Sequence, residues 1–285
     1  MTFSPWTVRA LLVVPIGAYI FTFVLPLLFT ARMSANDFSR LTGIQDDVQL
    51  GNYGEIATDS YFLDAWLTTM RISAVVAVIT VLLGAAVAYL LWTRGGRLRA
   101  VMTVVILLPL FVSGVVRAYG WIPVTGPTGV LPRVTEALGL GSWSIMFSES
   151  AVVLGLTHIM LPYAVLIILS SLDSVSRSVI SAADNLGATR AQTLRRVVIP
   201  LMRPALTSSA LLIFAVSSAA YAIPAILGGR RINVISLVIF QSQTATRNWP
   251  LASALAVTLV VLTILVMVAA NRNSRRSAVK AGASV

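Results

Sequence analysis

Long apolar runs alternate with short polar stretches along this chain. A helix needs about 20 mostly apolar residues to cross the hydrocarbon core of a bilayer. Six stretches reach or approach that length: 11–30, 72–92, 101–119, 151–169, 205–227 and 251–270. The pattern predicts an all-α polytopic membrane protein, six spans in a single transmembrane domain over 1–285. The third run is the least regular, because Pro109 interrupts it and Arg117 falls near its end. Pro15, Pro26, Pro162 and Pro224 lie inside other runs. Membrane helices tolerate proline where neighbours or cavity water satisfy the freed carbonyls, so kinked helices around a path are expected. The first run is too long, and too weakly charged ahead of it, for a cleaved signal peptide; it reads as a retained helix.

Two polar intervals stand out, 31–64 and 173–203. In the second, the small pair Ala182–Ala183 precedes Asp184, Asn185 and Leu186, and Gly187 follows. Beyond the glycine, Leu194, Val197 and Val198 recur at helical spacing among Arg190, Arg195 and Arg196. The spacing predicts two short amphipathic helices joined at Gly187 and stopped at Pro200. The glycine permits a sharp change of direction, and the alanines permit close approach of another surface. Such a pair either lies on the membrane surface or seats its face in a partner's groove. Periodicity leaves both open.

Composition supports the membrane reading. Of 285 residues, 57% are hydrophobic and only 11% charged, with a mean hydropathy of +0.88; soluble domains carry roughly a quarter charged residues. There is no cysteine and a single histidine, His158, which excludes disulfides, thiolate metal sites and paired-histidine metal motifs. The net charge of +11 is explained by its placement. Arg9, Arg94, Arg97, Arg99, Arg177, Arg190, Arg195, Arg196, Arg203, Arg272, Arg275, Arg276 and Lys280 share one set of loops with only Asp173 and Asp184. The opposite loops hold the other acids, among them Asp37, Asp46, Asp47, Glu55, Asp59 and Glu149. The positive-inside rule then puts both termini, and the interval 173–203, in the cytoplasm. Cations facing anionic headgroups account for the excess charge, so membrane lipid rather than nucleic acid is the expected partner.

The spacing Ala182-Ala183-x-x-x-Gly187, nine residues, then Val197-x-Ile199-Pro200 resembles the cytoplasmic signature of bacterial ABC-importer permeases. That signature runs Glu-Ala-Ala, three residues, Gly, nine residues, Ile-x-Leu-Pro. Ser181 stands where the family has its glutamate, which removes one charge from the contact. The blocks LLPLFVSGVVRAYGW (107–121), LPYAVLIILSSLDSV (161–175), AIPAILGG (222–229) and NWPLASAL (248–255) look like the polyamine (spermidine/putrescine)-type branch of type I importers. The likeness covers most of the chain from Asn52 to Ala270 and is nearest to the first permease of the pair such systems use.

The resemblance implies a type I importer permease fold in the bacterial inner membrane, importing a polyamine or a similar small amine or amino-acid-like solute. It implies a second homologous permease, two ATP-binding-cassette ATPase subunits and a periplasmic substrate-binding protein as partners. Ser181, Ala182, Ala183, Asp184, Gly187, Ala188, Ile199 and Pro200 would then form the ATPase-coupling loop. ATP and Mg would be bound by the partner. This chain has no Gly-x-x-x-x-Gly-Lys-Ser/Thr loop, so it holds no triphosphate and is not expected to be an enzyme.

Other residues carry a choice of readings. The acids of 31–64 either steer a binding protein or keep a loop hydrated. Arg71 lies near a span end, where snorkelling to headgroups would account for it. Arg117 either braces a neighbour or contacts solute, since charge at membrane depth pairs with something. His158 is either a satisfied bundle histidine or a path residue. Tyr119, Trp121, Tyr163 and Tyr221 either line the path, where their faces would receive a cation, or form interface belts. No span interior carries the carboxylate a dication would be expected to want. Two rival functions remain. A lone secondary transporter or channel would commonly show inverted repeats with interrupted helices. An intramembrane hydrolase pairing His158 with Ser170 or Ser171 would need an orienting acid, and Asp173 falls at the edge.

Overall fold

The computed structural model describes residues 13 and 15–282. Arg9 and the opening of the run starting at residue 11 lie outside the described residues, as do the side chains of Asp46, Arg177, Arg275, Arg276 and Lys280.

In chain order, α1 runs Pro15–Met33 and contains a π turn at Ile20–Val24. A hairpin of β1 (Asn36–Ser39) and β2 (Gly43–Val48) follows, then α2 (Gly51–Thr58) and α3 (Ser60–Thr93). The helix α4 (Gly96–Leu107) passes into a 3-10 turn at Leu108–Phe111, and α5 (Gly114–Thr125) and α6 (Val130–Ala137) come next. After these lie α7 (Glu149–Asp173), the short α8 (Arg177–Asn185) and α9 (Arg190–Ser218). A π turn at Pro224–Gly228 leads to α10 (Ile235–Thr244) and α11 (Trp249–Gly282). Among the described residues, five helices are long and apolar enough to cross a membrane, or six with the bent pair Gly96–Phe111 and Gly114–Ala137 counted as one.

The chain divides into two compact units. The larger comprises Asp64–Leu237 and Thr263–Val285. Its centre is α7, with 61% of its apolar stretch buried against 33% for α3 or α9. Three observations set the direction of α3 beside it. Arg71 pairs with Glu149; a Cβ on Gly84 would fall 2.6 Å from that of Ala164; Leu91 and Leu172 share one buried cluster. The two helices therefore run parallel and in close contact, which only a glycine at position 84 allows. Parallel neighbours need a crossing between them, and 96–137 supplies it. Arg99 at its start pairs with Asp173 at 2.6 Å, while Met146 N, beyond its end, donates to Thr125 O near the Glu149 end. Val76, Leu156, Ile213 and Leu227 pack one end of the core. Ala88, Leu91, Ile168, Leu172, Val198 and Met202 pack the other.

The smaller unit comprises Met1–Leu63 and Val238–Leu262. Its hairpin pairs Phe38 with Ile44 and is irregular between Asn36 and Asp37. Asn52 Nδ2 donates to Ser34 O and Asn36 O at 3.1 and 2.8 Å, and the Ser34 and Tyr53 hydroxyls lie 2.7 Å apart. Two of the acids here have local partners: Asp37 Oδ1 accepts from Phe38 N, and Asp59 Oδ1 caps α3 through Tyr61 N, both at 2.8 Å. The Asn-Trp-Pro run is a helix start. Asn248 Oδ1 accepts from Leu251 N at 3.0 Å, and Pro250 occupies the first turn of α11, where its missing N–H costs nothing.

Three expectations are corrected. The run 101–119 is not one helix, because Val112 and Ser113 are extended and the axis turns by 102° there. Pro109 starts a 3-10 turn, and the tighter coil has few bonds with which to continue. The run 205–227 is not one helix: it breaks after Ser218, where the Ser217 and Ser218 hydroxyls donate to the Phe214 and Ala215 carbonyls at 3.1 and 2.9 Å, and helix resumes at residue 222. Pro200 does not stop its helix: α9 passes through it. A π turn at Leu194–Val198 precedes the proline, and its wider coil makes room for the ring that would otherwise meet the carbonyl four residues back. Pro26 follows the π turn of α1 in the same way.

Candidate functional site

At the Asp173 end of the bundle, local hydrogen bonds fix the shape of the loop. Ser176 Oγ caps α8 by accepting from Ser178 N at 3.3 Å. The helix ends when Gly187 takes φ +76, a left-handed conformation that costs other residues about 1–2 kcal/mol. That turn lets Gly187 N reach Asp184 O at 2.9 Å and Ala188 N reach Ala183 O at 3.1 Å, which satisfies carbonyls the helix end would leave bare. The next helix begins at once with a capping box. Thr189 Oγ1 accepts from Gln192 N, and Gln192 Oε1 accepts from Thr189 N, at 3.3 and 2.8 Å.

The two sides of α8 differ in chemistry. Ile180 points inward and packs on the cluster of Leu91, Leu172 and Val198. Ser181, Ala182, Asp184 and Gly187 are exposed, Ala183 and Ala188 half-buried, and Leu186 at the tip is 89% exposed. The loop residues 181–188 are thus largely accessible, with Ser181 and Asp184 at the edge that lines cavities against the bundle. Ile199 and Pro200 are not part of this loop, because they lie farther along α9, past the π turn.

The second group of expected residues lies on α5 and α7. Trp121 Nε1 donates to His158 Nδ1 at 3.3 Å, and the rings meet edge to face with centroids 5.6 Å apart. An accepting Nδ1 leaves the neutral imidazole its proton on Nε2. Arg117 precedes Trp121 by four residues and so shares its face of α5. Its Nε and Nη1 are buried and have no hydrogen-bond partner among the described residues. Tyr119 and Tyr163 are well exposed, at 58% and 42%, and Tyr221 lies in the turn after α9. Arg71 is ion-paired with Glu149 rather than snorkelling alone.

Sequence reasoning missed four hydroxyls. Ser73, Thr80, Thr157 and Ser209 bury their oxygens without a partner. Ser73 and Thr80 fall seven apart, a spacing that places both on one side of α3 and was available as a signal. Thr157 adjoins His158 and, with Arg71 and Glu149, lines an apolar cavity of about 560 Å³ between α3 and α7.

Comparison with known proteins bears on these surfaces. The family described as "Binding-protein-dependent transport system inner membrane component" matches residues 80–279. The spermidine/putrescine transport system permease protein PotB of Haemophilus influenzae is 26% identical over 222 residues, 77% of this chain and 77% of that protein. The molybdenum transport system permease protein ModB of Mycobacterium bovis is 32% identical over 206 residues, 71% and 76% of the two chains. A chain of a bacterial alginate ABC transporter, solved with an alginate-bound periplasmic protein, superposes with a TM-score of 0.81 at 16% identity, covering 95% of this chain and 94% of that one.

Proposed function

Because the chain belongs to the binding-protein-dependent transport system inner membrane component family and is a permease subunit of an ABC importer, we propose how it is driven and what it carries. It sits in the inner membrane with both termini in the cytoplasm, beside a second homologous permease. A periplasmic binding protein delivers the solute on the Glu149 side. Two ATPase subunits dock on the Asp173 side, and ATP and its Mg are held by them. Their closure moves the surface 181–188, and the spans alternate access in response.

One observation carries this reading: α8 seats Ile180 in the bundle and presents an outer side of small and polar residues interrupted by Val179, with an apolar tip at Leu186. A helix resting on lipid would need a wide apolar face turned outward. Ile180 is instead packed inward, and only Val179 and the tip residue Leu186 are large apolar side chains turned outward, the arrangement of a knob offered to a groove. Beyond the capping box, α9 runs without a break from Arg190 to Ser218, so displacement at the loop reaches the core cluster at Ile213 as a rigid-body motion.

For the solute, the spermidine/putrescine relatives support an amine. The spans contribute no interior carboxylate, whereas Arg117 offers buried donors without a partner beside Trp121 and His158. A small amine that also carries a carboxylate satisfies both, its anionic group meeting Arg117 and its cation an aromatic face.

The test is a mild-detergent pull-down of the tagged chain from native membranes, with every partner identified by mass spectrometry. Recovery of an ATPase and a second permease supports the reading. A chain that purifies alone and moves solute without ATP refutes it in favour of a lone carrier.

A further inference from the structure

The last turn of α3, the start of α4, the end of α7 and the inner edge of α8 enclose a polar cavity of about 910 Å³. Arg94, Arg99 and Arg190 converge on it, and the acid on its wall is Asp173. Only Arg99 is paired, with Asp173 at 2.6 Å. Among the described residues neither Arg94 nor Arg190 makes an ion pair. Asp184 faces a smaller adjoining cavity of about 170 Å³, which Arg190 also lines. The larger cavity therefore holds more positive charge than its own acid neutralises.

Tyr89 and Trp92 form the wall on the side of the spans, their rings 6.1 Å apart. Tyrosine and tryptophan at the end of an apolar helix mark the headgroup level. Guanidinium groups match phosphate oxygens through paired donors, and being weakly hydrated they give up water at modest cost. Basic pockets between membrane helices at this depth are suited to anionic headgroups.

We propose that this cavity binds a phosphate group, supplied by an anionic phospholipid of the adjoining leaflet or by free phosphate, through Arg94 and Arg190. Ile180 and Ser181 of α8 also line it, so an occupant spans α8 and the ends of α3 and α4. Occupancy then stiffens the seat of the loop without touching its outward tip.

The test uses the assembled transporter purified from native membranes, as wild type, Arg94→Gln, Arg190→Gln, the double variant and Arg94→Lys. Co-purified lipids are extracted and quantified by mass spectrometry. Retained phosphatidylglycerol is expected to fall about fivefold for each arginine lost, equivalent to about 1 kcal/mol, with phosphatidylethanolamine unchanged and Arg94→Lys recovering part of the loss. A second arm places the complex in nanodiscs of phosphatidylcholine and adds either phosphatidylglycerol or millimolar inorganic phosphate. A rise in melting temperature with the lipid alone, absent in the double variant, assigns the site to a headgroup. A rise with inorganic phosphate, also absent in the double variant, assigns it to the free ion. Equal retention and equal melting in wild type and double variant overturn the proposal. So does a double variant that keeps its lipid but loses the ATPase, which would make the arginines part of the docking surface. Loss of lipid from an otherwise complete complex leaves the importer reading untouched.

Discussion

In the helices 96–111 and 190–218 the chain treats Pro109 and Pro200 in opposite ways. Before Pro200 the helix widens into a π turn at Leu194–Val198, the ring fits, and the helix continues to Ser218. At Pro109 the coil tightens into a 3-10 turn, and two extended residues follow before a 102° bend. At these two positions the turn around the proline, rather than the proline itself, separates a helix that continues from one that changes direction, while Pro162 and Pro204 sit inside helices that continue without a π turn. The continuous helix joins the loop to the core as a lever. The broken one brings Arg117 and Trp121 against α7, where a straight helix would have carried them past it.

The contrast can be attacked from both sides. Deleting Val197 removes the extra residue of the π turn, rotates the loop by about 100° relative to the span and sets Pro200 against a regular turn. ATP-driven uptake in vesicles should fall to the background of vesicles lacking the chain, with membrane levels checked by immunoblot. On the broken side, Arg117→Gln should raise KM for a carboxylate-bearing amine by about tenfold or more with little change in kcat, since one charge-assisted hydrogen bond is worth about 1.5–3 kcal/mol. A neutral effect there would return Arg117 to a structural role. Thr189→Ala removes half of the capping box at the root of the lever and should cost about 1 kcal/mol, read as a lower melting temperature of the purified complex. Arg99→Gln breaks a half-exposed ion pair at the foot of the broken helix and should shift that temperature least, by less than about 1 kcal/mol.

The loop was legible in the sequence because its geometry is local. The change of direction at Gly187 and the small pair Ala182–Ala183 follow from spacing over a few residues, whereas the inward packing of Ile180 came only from the structure. The break at Val112–Ser113 was legible only as the irregularity at Pro109, because the residues around it in Val-Ile-Leu-Leu-Pro-Leu-Phe-Val stay apolar and hydropathy is blind to coil type. Pro200 misled for the converse reason: a π turn leaves no trace in apolar periodicity. Sequence named Arg117, Trp121 and His158 separately, and the contact of Trp121 with His158 depends on how α5 lies against α7. The unpartnered hydroxyls of Ser73 and Thr157 are likewise properties of packing, since the same residues turned a quarter of the way round would be satisfied or wet.

The central claim is that the surface 181–188 drives α9. Position 187 tests it cleanly, because a Cβ there meets nothing within 4 Å and the strain of the left-handed backbone stays local. The measurement is ATP-dependent uptake and ATP hydrolysis, recorded together in vesicles holding the full importer with Gly187→Trp. The account predicts uptake at least about tenfold lower while the chain remains in the membrane and hydrolysis by the ATPase persists, uncoupled from transport. Uptake and hydrolysis both matching wild type would contradict it, since a bulky side chain on the docking surface would then have gone unnoticed by the machine.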